Sequence, residues 1–196
     1  MFDVDVIGIL YVIKSMIVME GVTITEGTSL SASKDVTVKD FIEKYLIDEI
    51  GAIKDEHPYL AFLSMAVGIE FLGKCCNHFT DWNKGGQSRN DFNGGMRIPS
   101  LNDTKYAGMD LYSELRCGLA HSLLTKGDLC LTNQASVNGA IGCDEFYQDF
   151  VAACREVLDG KVQMPVKKLT DVFFTVTDDG QGNSITGVTS TNKTVL

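Results

Sequence analysis

Arg116 and His121 stand five positions apart in the stretch ELRCGLAHS (residues 114–122), and His121 is one of only three histidines in the 196-residue chain. Their types suit two complementary tasks. An imidazole, with a reference pKa of about 6.5, takes up and releases protons near neutrality. A guanidinium is permanently charged and offers a planar fork of donors to phosphate or carboxylate oxygens. On an ideal helix, positions five apart lie about 140° from each other, so the two side chains do not share a face. They converge only if His121 sits in the frayed last turn, if the long arginine reaches around, or if a second copy of the chain brings its own pair. The spacing also argues against a helical His-x-x-x-His metal pair.

Each of these residues also has a plainer role. The run YLAFLSMAVGIEFLGKCCN (59–77) is apolar around its whole circumference and predicts a central, buried helix. Its only acid is Glu70. A carboxylate buried in such a helix needs a partner, and Arg116 is the obvious one. Glu114 is a second candidate for Arg116, and Lys74, at i+4, is an ordinary helical partner for Glu70. A histidine in the last turn of a helix is favoured by the macrodipole without any catalytic duty. Cys117, between two potential cations, is either a reactive thiol or a small packing residue. His78 reads as a helix-end residue, and His57, before Pro58, as a loop residue at a helix start.

The elements that must position these groups are mostly helices. Thr37 followed by Asp40 resembles a capping box, and Val38, Phe41, Ile42, Tyr45, Leu46 and Ile50 follow at helical spacing, with Gly51 as a C-cap. Residues 80–105 carry four glycines, a proline and many turn formers, and read as one long loop. Lys84, Arg89, Arg97 and Lys105 are interleaved there with Trp82, Phe92 and Tyr106, a mixture that can grip a single strand, but Asp81, Asp91 and Asp103 dilute it. Residues 106–124 resume as a helix with Leu111, Tyr112, Leu115, Leu119 and Leu123 on roughly one side. DLCLTN and ASVNGAIG predict two short strands joined by a turn at Asn133-Gln134. CDEFYQDFVAACREVLDG is a clean amphipathic helix with Asp144 as its N-cap and Gly160 at its end. After Pro165 the chain is rich in β-branched and aromatic residues, and Asp179-Gly180 signals a hairpin turn beside the central one. The N-terminal run VDVIGILYVIKSMIVME is apolar on all sides and is read as a helix. Residues 21–36 read as a loop with a short strand.

The expected fold is therefore mainly α: an up-and-down helical bundle of four to five helices with a small β-hairpin element. Residues 1–165 form the helical domain, with the hairpin inserted at about 127–142, and 166–196 a β-rich extension. The formal net charge of −9 fits poorly with a broad nucleic-acid-tracking surface. Six cysteines, at 75, 76, 117, 130, 143 and 154, show no zinc spacing and read as reduced thiols. The N-terminal run lacks the basic region of a signal peptide, and Lys14 breaks it before it reaches membrane-spanning length. A cytoplasmic protein with no membrane contact, metal or cofactor is the expectation.

The segment LYSELRCGLAHSLL resembles the signature of the HEPN-domain family: an arginine, a few residues, then a histidine near the end of a core helix. The preceding SMAVGIEFLGK with its lone acid, and the hairpin ahead of DEFYQDFVAAC, extend the resemblance over about residues 40–160. It implies a homodimer whose two Arg/His motifs face each other across a cleft, and a metal-independent endoribonuclease acting as a toxin or defence component, with an antitoxin or other protein partner. His121 would then be the acid/base and Arg116 the phosphate clamp, with Glu70, Tyr112, Cys117 and Ser122 in support. The same resemblance admits a non-catalytic domain that binds a nucleotide, RNA or a protein, with Arg116 and His121 structural. The residue after the arginine is usually polar in this family. Here it is Cys117, a weak donor, so the polar helper of the pattern is absent at this position.

Overall fold

Every residue from Ala61 to Gly73 is buried in a computed structural model of the chain, which describes residues 33–77, 85–102, 104–137, 140–160, 173–178 and 184–187. The expected N-terminal helix, His78, Trp82 and Lys84 lie outside these. The buried stretch belongs to α2, Pro58–Asn77. Pro58 opens the helix at a position where its missing N–H is no loss. Among the described residues α2 is the helix long and apolar enough to cross a membrane, yet 78% of its most apolar stretch is covered by the rest of the fold. Its hydrophobicity is thus accounted for by packing.

Among the described residues, four further helices accompany it. α1 covers 38–53 and runs as an α-helix, then a π-helical stretch Ile42–Glu49, then an α-helix again. Four of its buried residues, Val38, Ile42, Leu46 and Ile50, recur every four positions, with Phe41 buried beside them. A strict repeat of four drifts around a helix of 3.6 residues per turn, and the wider π turn keeps it against α2. α3 is Ser88–Gly95. α4 covers 112–122, π-helical over Tyr112–Arg116 and α-helical over Cys117–Ser122. α5 is Cys143–Leu158. Phe62 of α2 stacks on Phe146 of α5 at 5.8 Å, and Tyr106 meets Phe146 edge-on at 5.5 Å. The mainly helical architecture is as the sequence predicts.

Several boundaries differ. The stretch read as one long loop contains α3, whose Phe92 is buried. Its glycines serve close contact. A Cβ on Gly73 of α2 would lie 1.6 Å from the Asp91 carbonyl oxygen, and one on Gly95 2.1 Å from that of Ile69. Tyr106 is buried too and Lys105 pairs with Asp149, so among the described residues Phe92, Lys105 and Tyr106 are taken up by packing and an ion pair. The helix expected from residue 106 starts only at 112, after a short 3-10 turn at Thr104–Tyr106.

Gly51 is not a C-cap; it lies inside the last turn of α1, where Tyr147 packs against it and donates a 2.8 Å hydrogen bond to the Ile47 carbonyl. Asp144 does not cap α5. Gly142 stands at that position, and Asp144 instead accepts from Lys54 Nζ at 2.5 Å, tying the end of α1 to the start of α5.

The central β element is not a hairpin. β2 (Cys130–Thr132) and β3 (Ala140–Gly142) run parallel, with Leu131 opposite Ile141. Near them, Thr132 Oγ1 accepts from Gln134 N at 3.1 Å, and Ser136 Oγ accepts from Gly142 N at 2.9 Å. The C-terminal hairpin does form, as β4 (Phe173–Asp178) and β5 (Ser184–Gly187). It does not join the central strands. β4 pairs antiparallel with β1 (Ser33–Thr37), giving a separate sheet of order β1-β4-β5.

The α2–α3 contact gives a test of this packing. Alanine in place of glycine in a helix normally adds about 1 kcal/mol of stability. Gly73→Ala should instead lower it by about 2 kcal/mol or more, because backbone must move. Urea denaturation reads the sign, and a stabilised variant would contradict the close crossing.

Candidate functional site

Arg116 ends the π-helical stretch of α4 and points inward, only 4% exposed. Its Nε donates a 2.7 Å hydrogen bond to Glu70 Oε2 of α2, and Glu70 is itself buried. Two opposite charges thus meet where α4 crosses the central helix. Burial raises the Glu70 carboxyl above its ordinary value of 4.5, while Arg116, Ser88 and Lys74 pull it back down. Ser88 Oγ, at the first turn of α3, is buried near both Glu70 and the Tyr112 hydroxyl; it favours their charged forms without a well-formed hydrogen bond to either.

His121 sits in the last turn of α4 and is exposed. The two motif residues therefore do not share a face: one faces Glu70, the other solvent, as the 140° separation implies. Ser122 Oγ donates to the Gly118 carbonyl at 2.8 Å, a local helix-end bond. Cys117 is half-buried beside Tyr112. Tyr112 is half-buried as well, and burial pushes its hydroxyl up, with Ser88 and Arg116 opposing. Glu70, Tyr112, Arg116 and Cys117 are brought together, and His121 and Ser122 stand apart from them at the helix end.

Beyond His121 the chain turns sharply. Leu123 adopts the left-handed conformation, with φ of 55°. Its N–H closes the helix on Leu119, its carbonyl accepts from the Tyr59 hydroxyl, and Lys126 N–H bonds the Glu114 carbonyl at 3.0 Å. The returning chain lies so close to α4 that a Cβ on Gly118 would be 2.5 Å from the Leu124 carbonyl oxygen. Leu123, expected on the apolar side of the helix, is 62% exposed and Leu124 66%.

At the other end of α4 a cavity of about 320 Å³ opens between α3 and the segment leading into α4. Phe92, Met96, Leu101 and Met109 line it, and the exposed Asn93 and Asp110 stand on its rim. The Ser113 hydroxyl, and with it the Ser113 N–H that donates to Asp110 Oδ1 at 3.2 Å, hold the Asp110 carboxyl below the usual range. Arg89 stacks over the Tyr112 ring at 4.6 Å, donates to Ser113 Oγ at 2.9 Å and lies 3.8 Å from Asp110. Sequence reasoning missed this cavity. Phe92 and Met96, four apart in a stretch of turn formers, were its only trace. No family model, no curated protein and no solved structure matches the chain.

The buried pair makes two predictions. Arg116→Met leaves the Glu70 carboxylate without a counter-charge and should cost about 3 kcal/mol at neutral pH, whereas Glu70→Leu with Arg116→Met should recover most of that loss. Thermal and urea unfolding read both, and equal losses in the single and double variants would contradict the pair. The pH dependence has a definite sign. Because the folded carboxyl is raised, the stability linked to Glu70 is fully present below 4.5 and is lost as pH rises through the folded value. Wild type should therefore lose ground relative to Glu70→Gln as pH climbs past 4.5, and a relative gain there would contradict the direction.

Proposed function

We propose that the chain is a HEPN-like helical binding domain in which Arg116 is a structural counter-charge and not a phosphate clamp. The observation that carries this reading is the burial of the Arg116 guanidinium against Glu70. A clamp must reach the anion it holds. To do so here Arg116 would have to leave an internal carboxylate unpaired, at a cost of about 3–5 kcal/mol. The acidic composition, with a net charge of −9, adds a general repulsion toward a polyanion. Cys117, where the family usually carries a polar helper, points the same way. A protein partner is the occupant that best suits this surface. The exposed leucines beyond His121 offer apolar area for such a contact.

One observation favours the nuclease reading: His121 is exposed, as a general acid/base must be. A cleavage assay separates the two. Single-stranded and structured RNA are incubated with the purified protein in EDTA, beside His121→Ala and Arg116→Lys. The binding reading predicts no cleavage above background by any of the three. Cleavage by wild type that falls by two orders of magnitude or more in His121→Ala would establish the endoribonuclease instead.

A further inference from the structure

We infer that the Leu123-Leu124 turn of one chain docks into the cavity between α3 and the start of α4 of a second copy. The two features are complementary, and among the described residues the leucines stand exposed and the cavity stands open. The turn is a rigid apolar knob. Leu123 and Leu124 are 62% and 66% exposed, and the turn is fixed by the Tyr59 hydroxyl, by the Lys126–Glu114 backbone bond and by contact with Gly118. The left-handed position at Leu123 is one that glycine fills without strain, whereas leucine does so at a cost. What the leucine supplies in return is apolar surface directed at solvent.

The cavity is the matching receptor. At about 320 Å³ it lies at the low end of what small-ligand sites require, and it suits one or two aliphatic side chains better. The apolar part of its lining includes Phe92, Leu101 and two methionines, the methionines being flexible enough to adapt to an aliphatic knob, and its polar part includes Asn93, Asn102 and Asp110. The charges agree as well. The knob is flanked by the exposed His121 and Lys126, and no ion pair engages Lys126 among the described residues, while the cavity rim carries the Asp110 carboxylate, only part of whose charge is taken by Arg89 at 3.8 Å. Knob and cavity sit at opposite ends of α4, so the contact joins the C-terminal end of one α4 to the N-terminal end of another. A contact between two different patches closes only if the chains exchange it reciprocally, and otherwise it propagates.

The inference goes beyond the binding reading and does not depend on it: a self-associating chain that cleaves RNA would keep this contact and lose that reading. Sedimentation equilibrium of the full chain tests it at about 50 μM, above a micromolar dissociation constant. Leu124→Asp removes the knob, and Asn93→Arg closes the rim and opposes Lys126; both positions are exposed, and circular dichroism checks that each variant folds. Wild type should associate reversibly, and each variant should do so at least about tenfold more weakly. An equimolar mixture of the two variants should re-associate, because it restores one intact knob and one intact cavity. A monomeric wild type would overturn the inference and leave the cavity to another protein or a small ligand. Unchanged association of Leu124→Asp, or a mixture no stronger than its components, would overturn it too, since the surfaces would then not meet each other.

Discussion

A single buried ion pair decides how this helical bundle is to be understood. Glu70 sits in a helix with no other acid, and its carboxylate meets the Arg116 guanidinium at 2.7 Å where α4 crosses that helix. Neither charge can be withdrawn without stranding the other in an apolar interior. The crossing of α2 and α4 is therefore specified by charge as well as by shape. Around it, Leu115 and Leu119 of α4 supply the apolar contact, and Ser88 brings the first turn of α3 to the same point. The pair is weak evidence of net stability. Its consequence is register: a slip of α4 by one turn would leave both groups unpaired.

The same helix faces two ways. From Arg116 inward and His121 outward, α4 divides a motif that could do chemistry into a structural half and a solvent half. The π-helical stretch Tyr112–Arg116 precedes the division, and the left-handed Leu123 ends it. Wide turns of this kind place a side chain off the regular helical progression. Here the result is a helix with an anchored middle, a cavity at its N-terminal end and a projecting turn at its C-terminal end. The exposed leucines and the cavity lie at the two ends and not at the motif's arginine.

Much of this was legible in the residues. A lone acid in an all-apolar helix called for a cation, and Arg116 was the available one. The five-residue spacing placed His121 on another face. The amphipathic stripe of α5, with Phe146, Phe150, Cys154 and Val157, is buried as its periodicity requires. What was not legible had physical reasons. Gly95 read as a turn former, yet with Gly73 it allows α3 to approach α2 more closely than any side chain permits. Two three-residue strands carry no signal of direction, so their parallel pairing had to come from the fold. Asp144 looked like a cap, but a lysine from another helix claims it. Nothing in a Leu-Leu pair announces a left-handed turn, so its exposure had to come from the fold.

The central claim concerns the state of one guanidinium, and proton-detected NMR of the Arg116 Nε–H tests it most directly. The account predicts a resolved Nε–H resonance at neutral pH whose hydrogen exchange is slowed at least about a hundredfold relative to that of the exposed Arg97 and which is unmoved by added RNA. An Arg116 Nε–H that exchanges as fast as a surface arginine, or that shifts on addition of RNA, would show the group free to meet a phosphate and would contradict the account.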